Sequence, residues 1–118
     1  METHRLVLPE DLNQYEALFG GRLLAWVDEA CWIAASLDFP DCRFVTMAMD
    51  EVVFRHSVRE GTILTIVSER AKTGTTSVTY QVKVFRGRSM EDGPIFSTLV
   101  TFVNLDETGG KSPLKLQK

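Results

Sequence analysis

Only two cysteines, Cys31 and Cys42, stand in 118 residues. Two are too few for a disulfide scaffold, which fits a reducing, cytoplasmic setting. No apolar run reaches the ~20 residues that a membrane span needs, and the start Met1-Glu2-Thr3-His4-Arg5 has no signal-peptide character. Positive charge is not in excess either: 13 Lys and Arg against 16 Asp and Glu give a formal net charge of -3, which excludes a general nucleic-acid binder. The two histidines, His4 and His56, are far apart with no Cys or His at ligand spacing, so no metal site is expected. No glycine-rich phosphate loop of nucleotide-binding type is present. What remains is a single domain over 1-118, long enough to bury roughly two-thirds of its unfolded surface.

Within that domain the stretch from Pro9 to Ser36 carries the strongest signal. From Gly21 onward it holds helix formers without proline, and its apolar residues surround the wheel, as in a helix sheathed on several sides. Arg22, Trp26, Glu29, Ile33 and Ser36 make its one outlet to solvent, and Leu23, Val27, Ala30 and Ala34 make its core stripe. Asp28 lies on neither, sharing its face with Gly21, Leu24, Trp32 and Ala35. A carboxyl group there needs a partner or a purpose: an ion pair with a strand arginine, or catalysis.

The helix opens on Phe19-Gly20-Gly21, where a Ser, Thr, Asp or Asn cap would normally satisfy the first backbone N–H groups. Those donors suit an oxyanion or a polarised carbonyl, unless Gly20-Gly21 is only a tight turn. Asn13 in the preceding loop is either a turn former or an amide that holds a water or a carbonyl at the same ligand. Gly20 and Asp28 are eight residues apart, roughly 12 Å along a helix axis. If both act on one carbonyl, two chains must face each other, which predicts a dimer with two composite sites.

After the helix, Asp38-Phe39-Pro40-Asp41 is a stop, and strands are expected over Arg43 to Phe54, Thr62 to Lys72, Ser77 to Arg86 and Ile95 to Asn104. Asp50-Glu51 suggests a bulge, and Thr73-Gly74-Thr75 a hairpin turn. Leu6-Val7-Leu8 reads as a short opening strand. One helix with four long strands and a short one predicts an α+β domain with an antiparallel sheet wrapped on the helix. The tail, about 107-118, with Gly109-Gly110 and Pro113, is expected to be poorly ordered.

An ordered set of motifs then carries a resemblance: Pro9-Glu10-Asp11-x-Asn13, Leu18-Phe19-Gly20-Gly21, Trp26-Val27-Asp28-Glu29-Ala30, Phe44-Val45-Thr46-x-Ala48-x-Asp50, Val58-x-x-Gly61, Gly74-x-Thr76-Ser77-Val78 and Thr101-Phe102-Val103. From Leu6 to Asp106 the chain resembles hotdog-fold acyl-CoA thioesterases of the bacterial and vertebrate cytosolic acyl-CoA hydrolase type. The resemblance implies a long central helix wrapped by a five-stranded antiparallel β-sheet, and homodimers that assemble into tetramers or hexamers. It implies Asp28 as general base or nucleophile, Asn13 as active-site amide, and the amides of Gly20 and Gly21 as the helix start that polarises the thioester carbonyl. Tyr15-Glu16 stands where the family's loop commonly has the smaller Asn and Gly.

Coenzyme A is substrate and product in this reading, and no cofactor is implied. The strand around Thr46 is a candidate to pair with pantetheine amides, and the hairpin residues Lys72, Gly74, Thr75, Thr76 and Ser77 offer a cation and hydroxyls for CoA. The rival reading is a non-catalytic acyl-CoA-binding or regulatory hotdog domain, because fold does not fix function.

Overall fold

A computed structural model describes residues 1–88 and 92–115. Strand β1 (Glu2–Leu6) leads into a 3-10 turn at Pro9–Asp11 and then helix α1 (Gly20–Asp38), followed by β2 (Phe44–Phe54), β3 (Ile63–Thr73), β4 (Ser77–Arg86) and β5 (Phe96–Asn104). All the pairings are antiparallel and the sheet order is β1-β3-β4-β5-β2. This is the expected α+β architecture of one helix against five strands. Both sheet edges, β1 and β2, come from the chain flanking the helix, whereas β3, β4 and β5 form a meander joined by short connections.

Strand periodicity sets which face meets the helix. In β4, Val78, Tyr80, Val82 and Val84 are fully buried, and the alternating Gln81 and Lys83 are exposed. Phe96, Val100 and Phe102 of β5 join them beneath Leu23, Val27, Ala30 and Ala34 of α1, the core stripe expected from the sequence. Burying Leu23 or Val27 contributes about 1.5–3 kcal/mol each by area removed from water. At the far end Phe39, Phe44, Phe102 and Tyr80 make successive edge or tilted contacts at 6.0, 6.1 and 6.4 Å between centroids. The helix stops at Asp38, where the Phe39 N–H returns to the Ala35 carbonyl and Pro40 cannot continue the ladder.

Four expectations need correction. The opening strand runs over Glu2–Leu6, pairing with Ile63–Val67, because its exposed alternation of polar residues hides an edge strand from a hydrophobicity reading. Trp26 is not on a solvent outlet; it is 8% exposed, roofed by the Arg5 guanidinium 5.1 Å above the indole, while Arg5 also binds Glu29 at 2.8 Å. Nor is α1 sheathed on several sides within one chain: Gly21, Ala25, Trp32, Ile33 and Leu37 are exposed. The tail is tied down as far as Lys115. The Asn104 amide donates to the carbonyls of Ser112 and Pro113, Leu114 N–H reaches Thr75, and the Leu114 side chain packs on the core; the final three residues of the expected disordered tail lie outside the described residues.

The expected irregularity at Asp50-Glu51 is present: the β2–β5 register shifts between Asp50 and Val53, with Glu51 at φ 54°. A second shift between Thr46 and Ala48 had no sequence signal. No helix among the described residues is long and apolar enough to cross a membrane.

Candidate active site

Asp28 is held from the sheet. Its Oδ1 accepts the Thr46 hydroxyl at 2.6 Å, tying the middle of α1 to β2. One turn later the Trp32 indole N–H donates to the Phe44 carbonyl at 3.1 Å. These two bonds fix helix against strand and leave Asp28 Oδ2 without a partner among the described residues. The ion pairs of the described residues, His4–Glu2, Arg5–Glu29 and Arg22–Asp11, do not include Asp28, so a hydroxyl, not a strand arginine, is its partner. Thr46 therefore stands beside the carboxylate as well as on the β2 edge. Sequence alone missed that pairing, since eighteen residues separate the two and the bulge after Thr46 sets its direction.

The loop before the helix is built around two side chains. Asn13 Oδ1 accepts the Tyr15 and Ala17 N–H groups at 2.8 and 3.2 Å. Only an oxygen can take both, so the amide faces the other way and its Nδ2 hydrogens remain as donors. The turn it braces places Glu16 at φ 62°, the left-handed region where glycine is at ease. That accounts for the smaller Gly that the resemblance leads one to expect there. Asp11, 6% exposed, accepts the Leu8 N–H at 2.9 Å, approaches Arg22 Nε at 3.4 Å, and its carbonyl takes the Phe19 N–H at 2.9 Å. It holds the chain immediately before Gly20, a part that the sequence reading did not assign; its signal was an acid in the first turn after Pro9.

Helix α1 begins at Gly20 after Phe19, which supplies no side-chain cap. A Cβ on Gly21 would stand 2.9 Å from the Phe19 ring, so glycine lets that ring fold against the first turn. A cleft of about 350 Å³ opens beside it, lined by Gly20, Leu23, Phe54, Arg55, His56 and Val58. The uncapped N–H groups and the positive end of the helix dipole are groups able to receive developing negative charge.

Asp28 and the helix start are thus two separate stations of one chain. The hairpin residues Lys72, Gly74, Thr75, Thr76 and Ser77 lie at the opposite end of the sheet, where the carbonyls of Thr75 and Thr76 accept from Leu114 and Asn104 and the Gly74 N–H closes on Ser77. Cys31 is fully buried, and burial first, then the Asp28 charge, pushes its thiol up to about 12. A thiol so protonated is a packing group, not a nucleophile.

The pattern of the Thioesterase superfamily matches residues 15–92. The chain belongs to that superfamily. An uncharacterized acyl-CoA thioester hydrolase of Bacillus subtilis is 32% identical over 92% of this chain, which spans 63% of the Bacillus protein's length. A hexameric hotdog fold thioesterase of Campylobacter jejuni superposes with a TM-score of 0.82 at 34% identity, over 96% of this chain and 88% of that one. An acyl-CoA hydrolase from Staphylococcus aureus, solved with butyryl coenzyme A, coenzyme A and coenzyme A disulfide, superposes at 0.86 with 28% identity, over 98% and 71%. The hotdog fold expected from the sequence is the fold of these neighbours, and the enzyme class expected for this superfamily member is theirs. The Staphylococcus hydrolase has also been solved as single alanine variants at an Asn, an Asp and a Thr.

Proposed function

We propose that this superfamily member hydrolyses acyl-CoA to a free carboxylic acid and CoA, in sites shared between two copies of the chain. The observation that carries the reading is the Thr46 hydroxyl on the Asp28 carboxylate at 2.6 Å. In support, the Asn and Asp exchanged in the Staphylococcus hydrolase lie fifteen residues apart, with the Thr seventeen further on. Here Asn13 and Asp28 lie fifteen apart, and Thr46 eighteen beyond.

In this mechanism Thr46 holds one carboxylate oxygen and the other faces the substrate. Asp28 takes the proton of a water that adds to the thioester carbonyl, or itself adds to form a mixed anhydride that water then opens. The carbonyl oxygen gains charge opposite the N–H groups of Gly20 and Gly21 and the amide of Asn13, contributed by the partner subunit. In the first route sulfur leaves as CoA thiol with the proton that water gave to Asp28; in the second it leaves as thiolate when the anhydride forms and is protonated by the proton released when water opens the anhydride. The Lys72 to Ser77 hairpin contacts the phosphates or the pantetheine arm of CoA. The homodimer buries the exposed helix face and builds a larger even-numbered assembly, in line with the hexameric Campylobacter neighbour. A cytoplasmic setting belongs to the same proposal, resting on two free cysteines.

Thiol release from acyl-CoAs of graded chain length tests the reading, with the wild type beside Asp28→Asn and Thr46→Val. Asp28→Asn is expected to lose at least about a hundredfold in kcat. Wild-type turnover in a folded Asp28→Asn protein refutes the mechanism. Acyl-CoA binding without turnover in the wild type selects the regulatory binding domain instead.

A further inference from the structure

Asp28 and Trp32 stand four residues apart on one face of α1, and each is tied to β2 by one hydrogen bond, from the Thr46 hydroxyl at 2.6 Å and to the Phe44 carbonyl at 3.1 Å. The second bond fixes an indole one turn beyond the carboxylate. Trp32 is 45% exposed, yet its N–H pins the ring to the sheet, so a large apolar plate is held at the surface in one orientation. Behind the plate lies a cleft of about 610 Å³, walled by Trp32, Phe44, Val45 and Leu105, with the charged Arg43 and Asp106 completing it. Among the described residues Asp28 does not line this cleft and Trp32 does, so the indole is the partition between the two.

The direction of an acyl group past Asp28 follows from where α1 presents apolar side chains. Toward the helix start its exposed apolar positions are Gly21 and Ala25, which offer an alkyl chain little area. Beyond Asp28 they are Trp32, Ile33 and Leu37. Each methylene buried favours binding about fourfold, so the acyl group runs toward Trp32 and the thiol arm leaves the other way. From Asp28 to Trp32 the helix advances roughly 6 Å at 1.5 Å per residue. That run holds a few carbons and ends on the face of the indole.

We propose that Trp32 sets the chain length of the substrate: held on the Phe44 carbonyl, its ring stops the acyl group after about four carbons and shuts the cleft behind it. This rests on the acyl-CoA reading above and names the class of acyl group, a short one. Trp32 is a specificity residue and takes no part in the proton transfers.

Thiol release from acetyl-, butyryl-, octanoyl- and lauroyl-CoA by the wild type, Trp32→Leu and Trp32→Phe tests this, beside calorimetric binding of the unreactive thioethers S-butyl-CoA and S-octyl-CoA. Wild-type kcat/KM is expected to be highest at butyryl or shorter and at least about tenfold lower for octanoyl. Trp32→Leu opens the cleft, and is expected to raise octanoyl kcat/KM at least about tenfold while butyryl changes less than about threefold. The ratio of octanoyl to butyryl is the quantity read, because a loss of fold lowers both together. Trp32→Phe has a smaller ring without the N–H that holds it to Phe44, so its ratio is expected to rise at least about threefold, which carries the test should Trp32→Leu unfold. A wild type that hydrolyses lauroyl-CoA as fast as butyryl-CoA overturns the proposal, as does an unchanged ratio in both variants; either result leaves the thioesterase reading standing. A wild type that turns over no acyl-CoA, yet binds S-butyl-CoA above S-octyl-CoA with the preference reversed in Trp32→Leu, upholds the role of Trp32 and removes the thioesterase. One that neither turns over acyl-CoA nor discriminates the thioethers overturns both.

Discussion

Two inactive variants are expected to restore activity when mixed. Asp28→Asn removes the carboxylate held on Thr46, and Asn13→Ala removes the amide from the loop that leads into Gly20. Within one chain the helix rise between Gly20 and Asp28 is roughly 12 Å, and the bonds of Asp28 to Thr46 and Trp32 to Phe44 hold the helix on its strand. Neither station can swing to the other. When each site takes Asn13 and the helix start from one protomer and Asp28 from its partner, neither variant alone contains an intact site. Random association of equal amounts puts an intact Asp28 opposite an intact Asn13 in about one site in four. The assay is co-refolding of the two variants under two affinity tags, followed by thiol release. Each variant alone is expected at least about a hundredfold below wild type, and the mixture near a quarter of it. A mixture no faster than its parents refutes the shared site, because it would place all the groups in one chain.

Thr46→Val keeps the volume but removes the hydroxyl, so kcat is expected to fall about tenfold with a smaller change in KM; an unchanged kcat would deny Thr46 any part in orienting Asp28. Tyr80→Phe is expected to cost about 1–2 kcal/mol in urea unfolding. The Tyr80 hydroxyl donates to Asp38 Oδ2 at 2.5 Å, and Asp38 ends a helix whose dipole already disfavours an acid there; a wild-type midpoint would contradict this. Alkali should also find Cys31. Its thiol stands at about 12 against an ordinary 9.0, chiefly through burial, so the folded chain holds that proton more tightly than the unfolded one. The stability it contributes is complete below pH 9 and is lost as pH rises toward 12. Cys31→Ala should flatten the alkaline limb of midpoint against pH, and iodoacetamide should label Cys42 well before Cys31; equal labelling would show that α1 opens easily.

The helix and the meander were legible because their signals are local. Leu23, Val27, Ala30 and Ala34 repeat at helical spacing, and Val78, Tyr80, Val82 and Val84 alternate, so burial follows from period alone. Residues paired across distance were not legible. The opening strand is polar, and only its partner Ile63–Val67 makes it a strand. Trp26 lost its place at the surface to Arg5, twenty-one residues earlier, and the tail is ordered by Asn104 and the hairpin, not by its own composition. For the site, sequence placed Asp28 on an anomalous helix face and the helix start on uncapped glycines, both local facts. The Thr46 contact needs the bulge of β2, and Asp11's hold on the loop needs Arg22 and Phe19 in place.

The strand order has a consequence in time. Strands β3, β4 and β5 are neighbours in sequence as well as in the sheet, so their hairpins close over short loops. Strand β2 finds its only described partner in β5, with Phe44 opposite Asn104 and Phe54 opposite Phe96, sixty and forty-two residues away. Pairings of such range bear the largest loop-closure entropy and form late. On a ribosome, β2 must wait unpaired, with its backbone edge and the Phe44 side chain that folding buries both uncovered, until the last strand has emerged. The strand that grips Asp28 is then among the last to dock, so a nascent chain acquires its core before the Asp28–Thr46 contact, and the interval between the two is when it is most exposed to aggregation.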